Sequence, residues 1–176
     1  MSLNFKNERI SFLNIVNEDL PEVLDWYNRL DQYMFATGVD RYLTLDEMQK
    51  KINESAVSSY DFFVWVINEE GHKIGMLKGS MKYQDKDSLW INSIIIAPEY
   101  RRMGYGKVVI ESLIDYTKKK FKLEKVLVSV INDNTGAIGF WNRMGFYFVK
   151  KLENHISLGG KFRDVVIMQK DNINYS

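Results

Sequence analysis

The sequence contains no cysteine among its 176 residues. A chain without cysteine forms no disulfide, offers no thiolate metal ligand and cannot use a cysteine nucleophile, so an acyl-cysteine intermediate is excluded. Histidine occurs only twice, as His72 and His155, in segments that read as exposed turns. Neither histidine is therefore a favoured catalytic residue, and we expect no metal site.

Proline, net charge and long apolar runs are also scarce. Only two prolines are present, and no repeat or linker divides the chain, so residues 1–176 are expected to form a single domain. A formal net charge of +1 gives no general attraction to nucleic acid or to an acidic membrane. No apolar run has membrane-spanning length, and the polar first residues do not resemble a signal peptide. We expect a cytoplasmic protein that binds neither nucleic acid nor membrane.

A glycine-rich turn lies between an apolar segment at residues 90–96 and a helical pattern at 108–119. Gly104 and Gly106 have no Cβ, so the main chain can approach a ligand closely. N–H groups at a helix start lack acceptors within the helix, and the helix dipole adds partial positive charge there. The turn therefore predicts a phosphate site, with a purely steric role of the glycines as the alternative.

Two common phosphate-binding loops do not fit this turn. The dinucleotide fingerprint requires a third glycine where Val109 stands. The mononucleotide P-loop requires a glycine at Arg101 and a serine or threonine at Val108. A nucleotide-binding protein is therefore disfavoured.

The turn does match the pattern Arg/Gln-x-x-Gly-x-Gly/Ala, and it follows the segment IAPEY at residues 96–100. A second pattern, NDNTGAIGFWNRMGF at 132–146, has an asparagine, an alanine, an aromatic residue and a closing Gly-Phe pair in order. Together they resemble the pyrophosphate loop and the second signature of the GNAT N-acetyltransferase superfamily. The resemblance covers residues 73–170 well and the N-terminal third loosely.

This resemblance implies an α/β (α+β) fold, with a mixed, mostly antiparallel sheet of six to seven strands flanked by helices. The residue patterns agree with that fold. Helices are expected from about 18 to 30, capped by Asn17, from 45 to 55 behind a Thr44–Glu47 capping box, and after Asn134. Strands are expected at 10–16, 62–67, 73–83, 90–96, 126–130, 146–152 and 163–168.

The resemblance also implies acetyl-CoA as the cofactor. In the family, the fourth and fifth strands separate, and unpaired amides near residues 93–96 bind pantetheine and polarise the thioester carbonyl, which makes Ser93 and Ile94 candidates for that role. The implied cofactor-binding residues are Ile94, Ile95, Ile96, Arg101, Arg102, Met103, Gly104, Tyr105, Gly106, Lys107, Asn134, Ala137, Phe140 and Trp141. The alternatives are solvated surface charges for the basic residues, a helix cap for Asn134 and core packing for the aromatic residues.

Two positions depart from the family pattern. Many relatives carry a glutamate base on the fourth strand, but residues 90–94 read WINSI and contain no carboxylate. Many relatives carry a tyrosine that protonates the leaving thiolate, but this chain has Trp141, whose indole N–H is far too weak an acid. The general base and acid are therefore unassigned, and Trp141 is expected to pack against the pantetheine arm.

The implied function is transfer of an acetyl group from acetyl-CoA to a primary amine of a small molecule, peptide or protein, by direct attack in a ternary complex. The alternative is a non-catalytic acyl-CoA-binding sensor or partner module. Four aromatic residues belong to the segment that lines the acceptor side in the family, with core packing as the alternative: Trp26, Tyr27, Tyr33 and Phe35. The acceptor and the oligomeric state, including a homodimer, stay open.

Overall fold

The computed structural model of the chain describes residues 1–82 and 88–171. The last residue of the strand predicted at 73–83 and the turn after it lie outside the described residues. The helices are α1 (Leu20–Tyr27), α2 (Leu30–Thr37), α3 (Leu45–Val57), α4 (Tyr105–Lys120) and α5 (Thr135–Arg143). The strands are β1 (Phe5–Lys6), β2 (Ile10–Asn14), β3 (Asp61–Asn68), β4 (Lys73–Lys82), β5 (Ser88–Ile96), β6 (Lys125–Ile131), β7 (Tyr147–Leu158) and β8 (Lys161–Lys170).

The strands form one sheet with the order β1-β2-β3-β4-β5-β6-β8-β7. Neighbouring strands are antiparallel except β5 and β6, which run parallel. The expected mixed, mostly antiparallel α/β fold is therefore confirmed. The sheet has eight strands rather than six or seven, because the two-residue β1 is too short to produce an alternation pattern.

Helices cover both faces of the sheet, which we call face A and face B. On face A, apolar residues of α4 such as Leu113 pack with strand residues such as Val64 and Leu77. On face B, Ile52 of α3 and residues of α1 and α2 pack with Trp65 and other strand residues. Successive side chains of a strand point to opposite faces, so each central strand contributes to both cores.

The helix predicted from about residue 18 to 30 is shorter in the structure, where α1 spans Leu20–Tyr27, and the separate helix α2 (Leu30–Thr37) was not predicted. Asn17 does not cap α1: Asn17–Asp19 is a short 3-10 helix, and Asp19 precedes α1 without a side-chain cap. The chain leaves α1 at Asn28, whose side-chain amide donates to Leu43 O (3.2 Å) and accepts from Leu43 N (2.8 Å). This tertiary contact, rather than a local breaker residue, ends the helix.

The other predicted elements appear close to their expected positions. The capping box of α3 is present, because Thr44 Oγ1 accepts from Glu47 N (3.3 Å) and Glu47 Oε2 accepts from Thr44 N (2.9 Å). Strand β7 runs well beyond the expected end at residue 152. Within the described ranges, none of the helices combines the length and apolar character needed to cross a bilayer.

Candidate functional site

The parallel pairing of β5 with β6 is short. It joins Ser88–Ile91 to Lys125–Val128 and then ends. Beyond this point β5 stays paired with β4 as far as Ile96, and β6 stays paired with β8 as far as Ile131. In the described part of the chain, no strand pairs with residues 92–96 on their β6 side, and we call the gap along this unpaired edge the groove.

A β-bulge lies where the two strands separate. On β4, Lys78 and Gly79 are neighbours, but their partners on β5 are Ser93 and Ile91, so Asn92 is an extra residue. A bulge bends its strand and increases the local twist. The divergence of β5 from β6 therefore has a cause in β5 itself.

The glycine-rich turn leads directly into α4. Gly104 precedes the helix with φ +84°, in the left-handed region, and Val108 N donates to Gly104 O (3.2 Å). The amides of Tyr105, Gly106 and Lys107 come before that first helical bond, so they have no acceptor within the helix. The first turn of α4 contains no acidic residue. These features fit a bound diphosphate.

The start of α4 also lies against α5. A Cβ built on Gly106 would lie 3.3 Å from the Phe140 ring. On α5, Asn134 Oδ1 accepts from Ala137 N (3.2 Å), so Asn134 acts as the helix cap. Glycine at 106 thus allows the close approach of α4 and α5, and the cofactor contacts of Asn134, Ala137 and Phe140 stay predictions.

The side chains of the loop at residues 101–107 interact mainly with other parts of the protein or with solvent. Arg101 Nε donates to Ile96 O (2.9 Å), and its guanidinium lies 5.8 Å from the Tyr33 ring centre. Arg102 and Met103 are exposed, and Lys107 Nζ lies 3.8 Å from a Glu111 carboxylate oxygen. The Arg101 guanidinium therefore connects the end of β5 to α2.

One basic residue of this region was not anticipated from the sequence. Arg9 Nη2 donates to Met103 O (3.4 Å), and its guanidinium lies 4.9 Å from the centre of the Tyr105 ring. Tyr105 itself is buried, and its hydroxyl donates to Glu69 Oε2 (3.0 Å). Because Arg9 lies far from the loop in sequence, no local pattern connects the two.

Trp141 lies in the core of face A. Only 3% of its surface is exposed, and its ring centre is 5.0 Å from that of Phe140 and 4.8 Å from that of Phe146. These contacts agree with the alternative stated in the sequence analysis, in which Trp141 packs in the core. The burial leaves the indole little surface for the contact with pantetheine expected from the sequence.

Three of the four aromatic residues proposed for the acceptor side are also buried: Trp26, Tyr27 and Tyr33. The rings of Trp26 and Tyr33 stack at 5.8 Å with an angle of 7°, so core packing accounts for them. Phe35 is exposed, and the Arg163 guanidinium lies 5.2 Å from its ring centre. An acceptor contact of these residues stays a prediction.

Face B contains buried polar atoms without a hydrogen-bond partner among the described residues. They are Tyr33 Oη, Trp65 Nε1 and Ser93 Oγ. Burial raises the pKa of Tyr33, and the neighbouring Arg101 and Arg29 partly oppose that shift. Lys78, which the sequence reasoning did not single out, pairs with Ser93 across β4 and β5. A lysine inside an otherwise buried strand was the signal available in the sequence.

The comparison with family models agrees with this geometry, because residues 20–146 match the model described as the acetyltransferase (GNAT) family. The chain belongs to the GNAT family. Spermine/spermidine N(1)-acetyltransferase of Bacillus subtilis (strain 168) is 27% identical to this GNAT protein over 89 residues, which cover 48% of this chain and 59% of that relative. The chain thus spans less than two thirds of that relative's length.

A second relative and a solved structure are similar over more of the chain. Spermidine N(1)-acetyltransferase of Vibrio cholerae serotype O1 is 24% identical over 139 residues, which cover 77% of this GNAT protein and 79% of that relative. The crystal structure of spermidine N-acetyltransferase from Vibrio cholerae in complex with CoA and spermine has a TM-score of 0.82. It is 21% identical and covers 94% of this chain and 96% of that one. At this identity the likeness establishes the fold.

This GNAT protein keeps the departures noted in its sequence. Ile91 is buried and Asn92 is exposed on β5, so the strand segment beside the groove carries no carboxylate. At the position where many relatives have tyrosine, the Trp141 side chain is enclosed by the core. Neither position supplies a proton acceptor or donor.

Proposed function

We propose that this GNAT protein is an acetyl-CoA-dependent N-acetyltransferase that acetylates a primary amine of a small molecule or peptide by direct attack in a ternary complex. The observation that carries the proposal is the combination of an edge of β5 that is unpaired beyond Ile91 with first-turn amides of α4 that have no acceptor within the helix. The relatives named for spermine and spermidine support an amine as the acceptor class. We propose that residues 1–176 act as a single catalytic domain.

The main chain is proposed to hold the cofactor. The amides of Tyr105, Gly106 and Lys107 would bind the diphosphate, and residues 93–96 would line the pantetheine arm along the edge of β5. Acetyl-CoA, when bound, supplies an activated acyl carbonyl for the acceptor amine. A main-chain donor at Ser93 or Ile94 aimed at that oxygen would lower the barrier by about 3 kcal/mol.

Positioning is proposed to be the main contribution of the protein to the rate. An alkyl ammonium must lose a proton before it can attack, and residues 90–94 offer no carboxylate to accept that proton. The buried Trp141 cannot protonate a thiolate. Both protons are therefore proposed to exchange with water, while the groove aligns the two substrates.

Release of free thiol from acetyl-CoA tests the proposal. The protein is incubated with acetyl-CoA and a panel of amines that contains polyamines, amino acids, aminoglycosides and short peptides, and CoA binding is measured in parallel by calorimetry. An enzyme releases thiol only when its acceptor is present. Binding of CoA without thiol release for any amine would instead identify a sensor module.

We also propose that the protein forms a homodimer through the outer edge of β7. This strand has a neighbour only on its β8 side among the described residues, and Tyr147, Phe148 and Val149 at its start are all exposed. An uncovered edge with apolar side chains favours pairing with a second copy. Light scattering after size-exclusion chromatography measures the oligomeric state.

A further inference from the structure

Lys78 lies in the middle of face B. Its Cα is paired with Phe63 on β3 and with Ser93 on β5. Met76, two residues earlier on β4, belongs to the face B core, and so does Ile95, two residues after Ser93. Because side chains two residues apart share a face, Lys78 and Ser93 both point to face B, on the side of the sheet covered by α1 to α3.

The Lys78 ammonium has no carboxylate in direct contact among the described residues. The side chain is half-buried, and its Nζ lies 5.7 Å from the Phe63 ring centre. No hydrogen bond or ion pair reaches this Nζ from the residues that the structure describes. Burial lowers the pKa of Lys78, Lys51 acts in the same direction, and Asp61 and Glu54 oppose it. A partly buried charge without a partner is costly.

Ser93 supplies a second unsatisfied group beside this ammonium. Its Oγ is buried and has no hydrogen-bond partner among the described residues. Directly paired residues of antiparallel strands have Cβ atoms about 5 Å apart, so the Lys78 and Ser93 side chains are neighbours. Ser93 also belongs to the stretch of β5 that borders the groove. Two hydrogen-bond donors without acceptors therefore lie next to the proposed reaction centre.

A surface cleft lies beside α3, one of the helices that cover face B. It has a volume of about 430 Å³ and lies between the α2–α3 loop and α3, with Lys51 and Glu54 in its lining. These two residues are also the charged groups of α3 that act on Lys78. The cleft and Lys78 thus lie on the same side of the sheet, and the cleft has room for a small molecule.

We propose that the acceptor is a primary amine that also carries an anionic group, a carboxylate in the simplest case, which binds the Lys78 ammonium and the Ser93 hydroxyl. This inference rests on the proposed acetyltransferase function and narrows its acceptor. An anionic group would satisfy both unpaired donors with charge-assisted hydrogen bonds. A polyamine would add positive charge beside Lys78 and Lys51, so polyamines are poor acceptors for this protein.

Binding to the CoA-saturated protein tests the inference independently of catalysis. Calorimetry compares amines that differ only by a carboxylate: lysine with cadaverine, ornithine with putrescine, and tyrosine with tyramine. A peptide arm compares the C-terminal amides of Ser-Asp and Ser-Asn, which differ by one carboxylate, because a free amino acid and an acidic peptide offer the same chemistry. We expect the carboxylated member of at least one pair to bind about tenfold more tightly or better. Equal binding in every pair, or tighter binding of spermidine, overturns the inference.

Substitution of Lys78 shows whether its ammonium contacts the anionic group directly or whether any positive charge of the protein has the same effect. Lys78→Met should abolish the preference for the carboxylated member, and Lys78→Arg should restore most of it. Lys122→Met, at an exposed site in the loop before β6, is the matched control and should keep the preference. A preference unchanged in Lys78→Met overturns the inference. If the preference behaves as expected but no thiol is released, the acetyltransferase proposal fails while the anionic ligand class stands.

Discussion

Gly104 has a backbone conformation that an L-residue with a branched side chain rarely adopts. Its φ is +84°, and the nearest atom to a built Cβ is Arg9 Nη1 at 3.7 Å. A side chain there would not meet the core, but it would project where a diphosphate is proposed to contact the main chain. A substitution at Gly104 can therefore test ligand binding without disturbing the packing of the core.

Gly104→Val should reduce CoA affinity at least tenfold, because the side chain blocks main-chain donors that bind a charged group. Calorimetry with CoA measures the effect. Gly71→Val is the matched control, since Gly71 has φ +86° and no atom within 4 Å of a built Cβ. It should show similar backbone strain and normal CoA affinity. Unchanged affinity in Gly104→Val would refute the loop assignment.

Trp141 should contribute to stability more than to ligand binding. Trp141→Ala is expected to lower the free energy of unfolding by about 3–5 kcal/mol, because a large buried ring is replaced by a cavity. Trp141→Phe should lower it less. Urea denaturation measures both changes. Loss of CoA affinity with unchanged stability would instead place the indole at the ligand.

At the level of elements, the start of α3 is stabilised by an ion pair as well as by its capping box. Arg41 hydrogen-bonds to Glu47, and the Thr44 N–H adds a second bond, so the pKa of Glu47 falls from 4.5 to about 2. A carboxylate with a lowered pKa stabilises the fold above its ordinary pKa. This contribution is lost as the pH falls from about 4.5 toward about 2.

Glu47→Gln should therefore destabilise the protein at neutral pH and have little effect near pH 2. The difference in melting temperature between the two proteins should shrink across this interval. Thermal unfolding followed by circular dichroism between pH 2 and pH 7 measures it. Arg41→Met should reproduce the behaviour, since it removes the other partner. A difference that is constant over the whole range would contradict this account of α3.

Elements with strong local patterns could be predicted from the sequence, and those fixed by distant contacts could not. The strand pattern of residues 62–67 and the Thr44 capping box needed no tertiary information. The break after α1 depends on Asn28 bonding to Leu43, 15 residues away. The bulge at Asn92 depends on the register of β4 against β5, which alternation alone does not reveal.

The candidate site divides in the same way. Its phosphate loop is a local motif, so Gly104 and Gly106 could be found from spacing. The pairing of Lys78 with Ser93 joins two strands; Lys78 belongs to no motif, and Ser93 was a candidate only through its main-chain amide. Trp26 and Tyr33 are buried, which the presence of aromatic residues in a segment does not reveal.

At the scale of the whole molecule, the edges of the sheet differ. The edge at β1 is only two residues long, whereas β7 has twelve. Lys150 and Lys151 protect part of β7, because charged side chains oppose pairing with another strand. The apolar start of β7 has no such protection, which is why we place the dimer contact there.

Val149→Lys should convert a dimer of this kind to a monomer, since it extends the charged stretch of β7 into the proposed contact. Val57→Lys is the control, because Val57 is 85% exposed at the end of α3. Light scattering measures the mass of each variant over a range of concentrations. A monomeric wild-type protein at high concentration would exclude the dimer.

Because the parallel ladder between β5 and β6 is short, the sheet consists of two parts that are connected only along that ladder. A ligand bound beyond Ile91 would contact both parts of the sheet. Its hydrogen bonds would take the place of those that β5 and β6 do not form with each other there. Cofactor binding would then raise the free energy of unfolding, and the increase would grow with the cofactor concentration. In a cell, such a protein would resist unfolding best when its acyl donor is abundant.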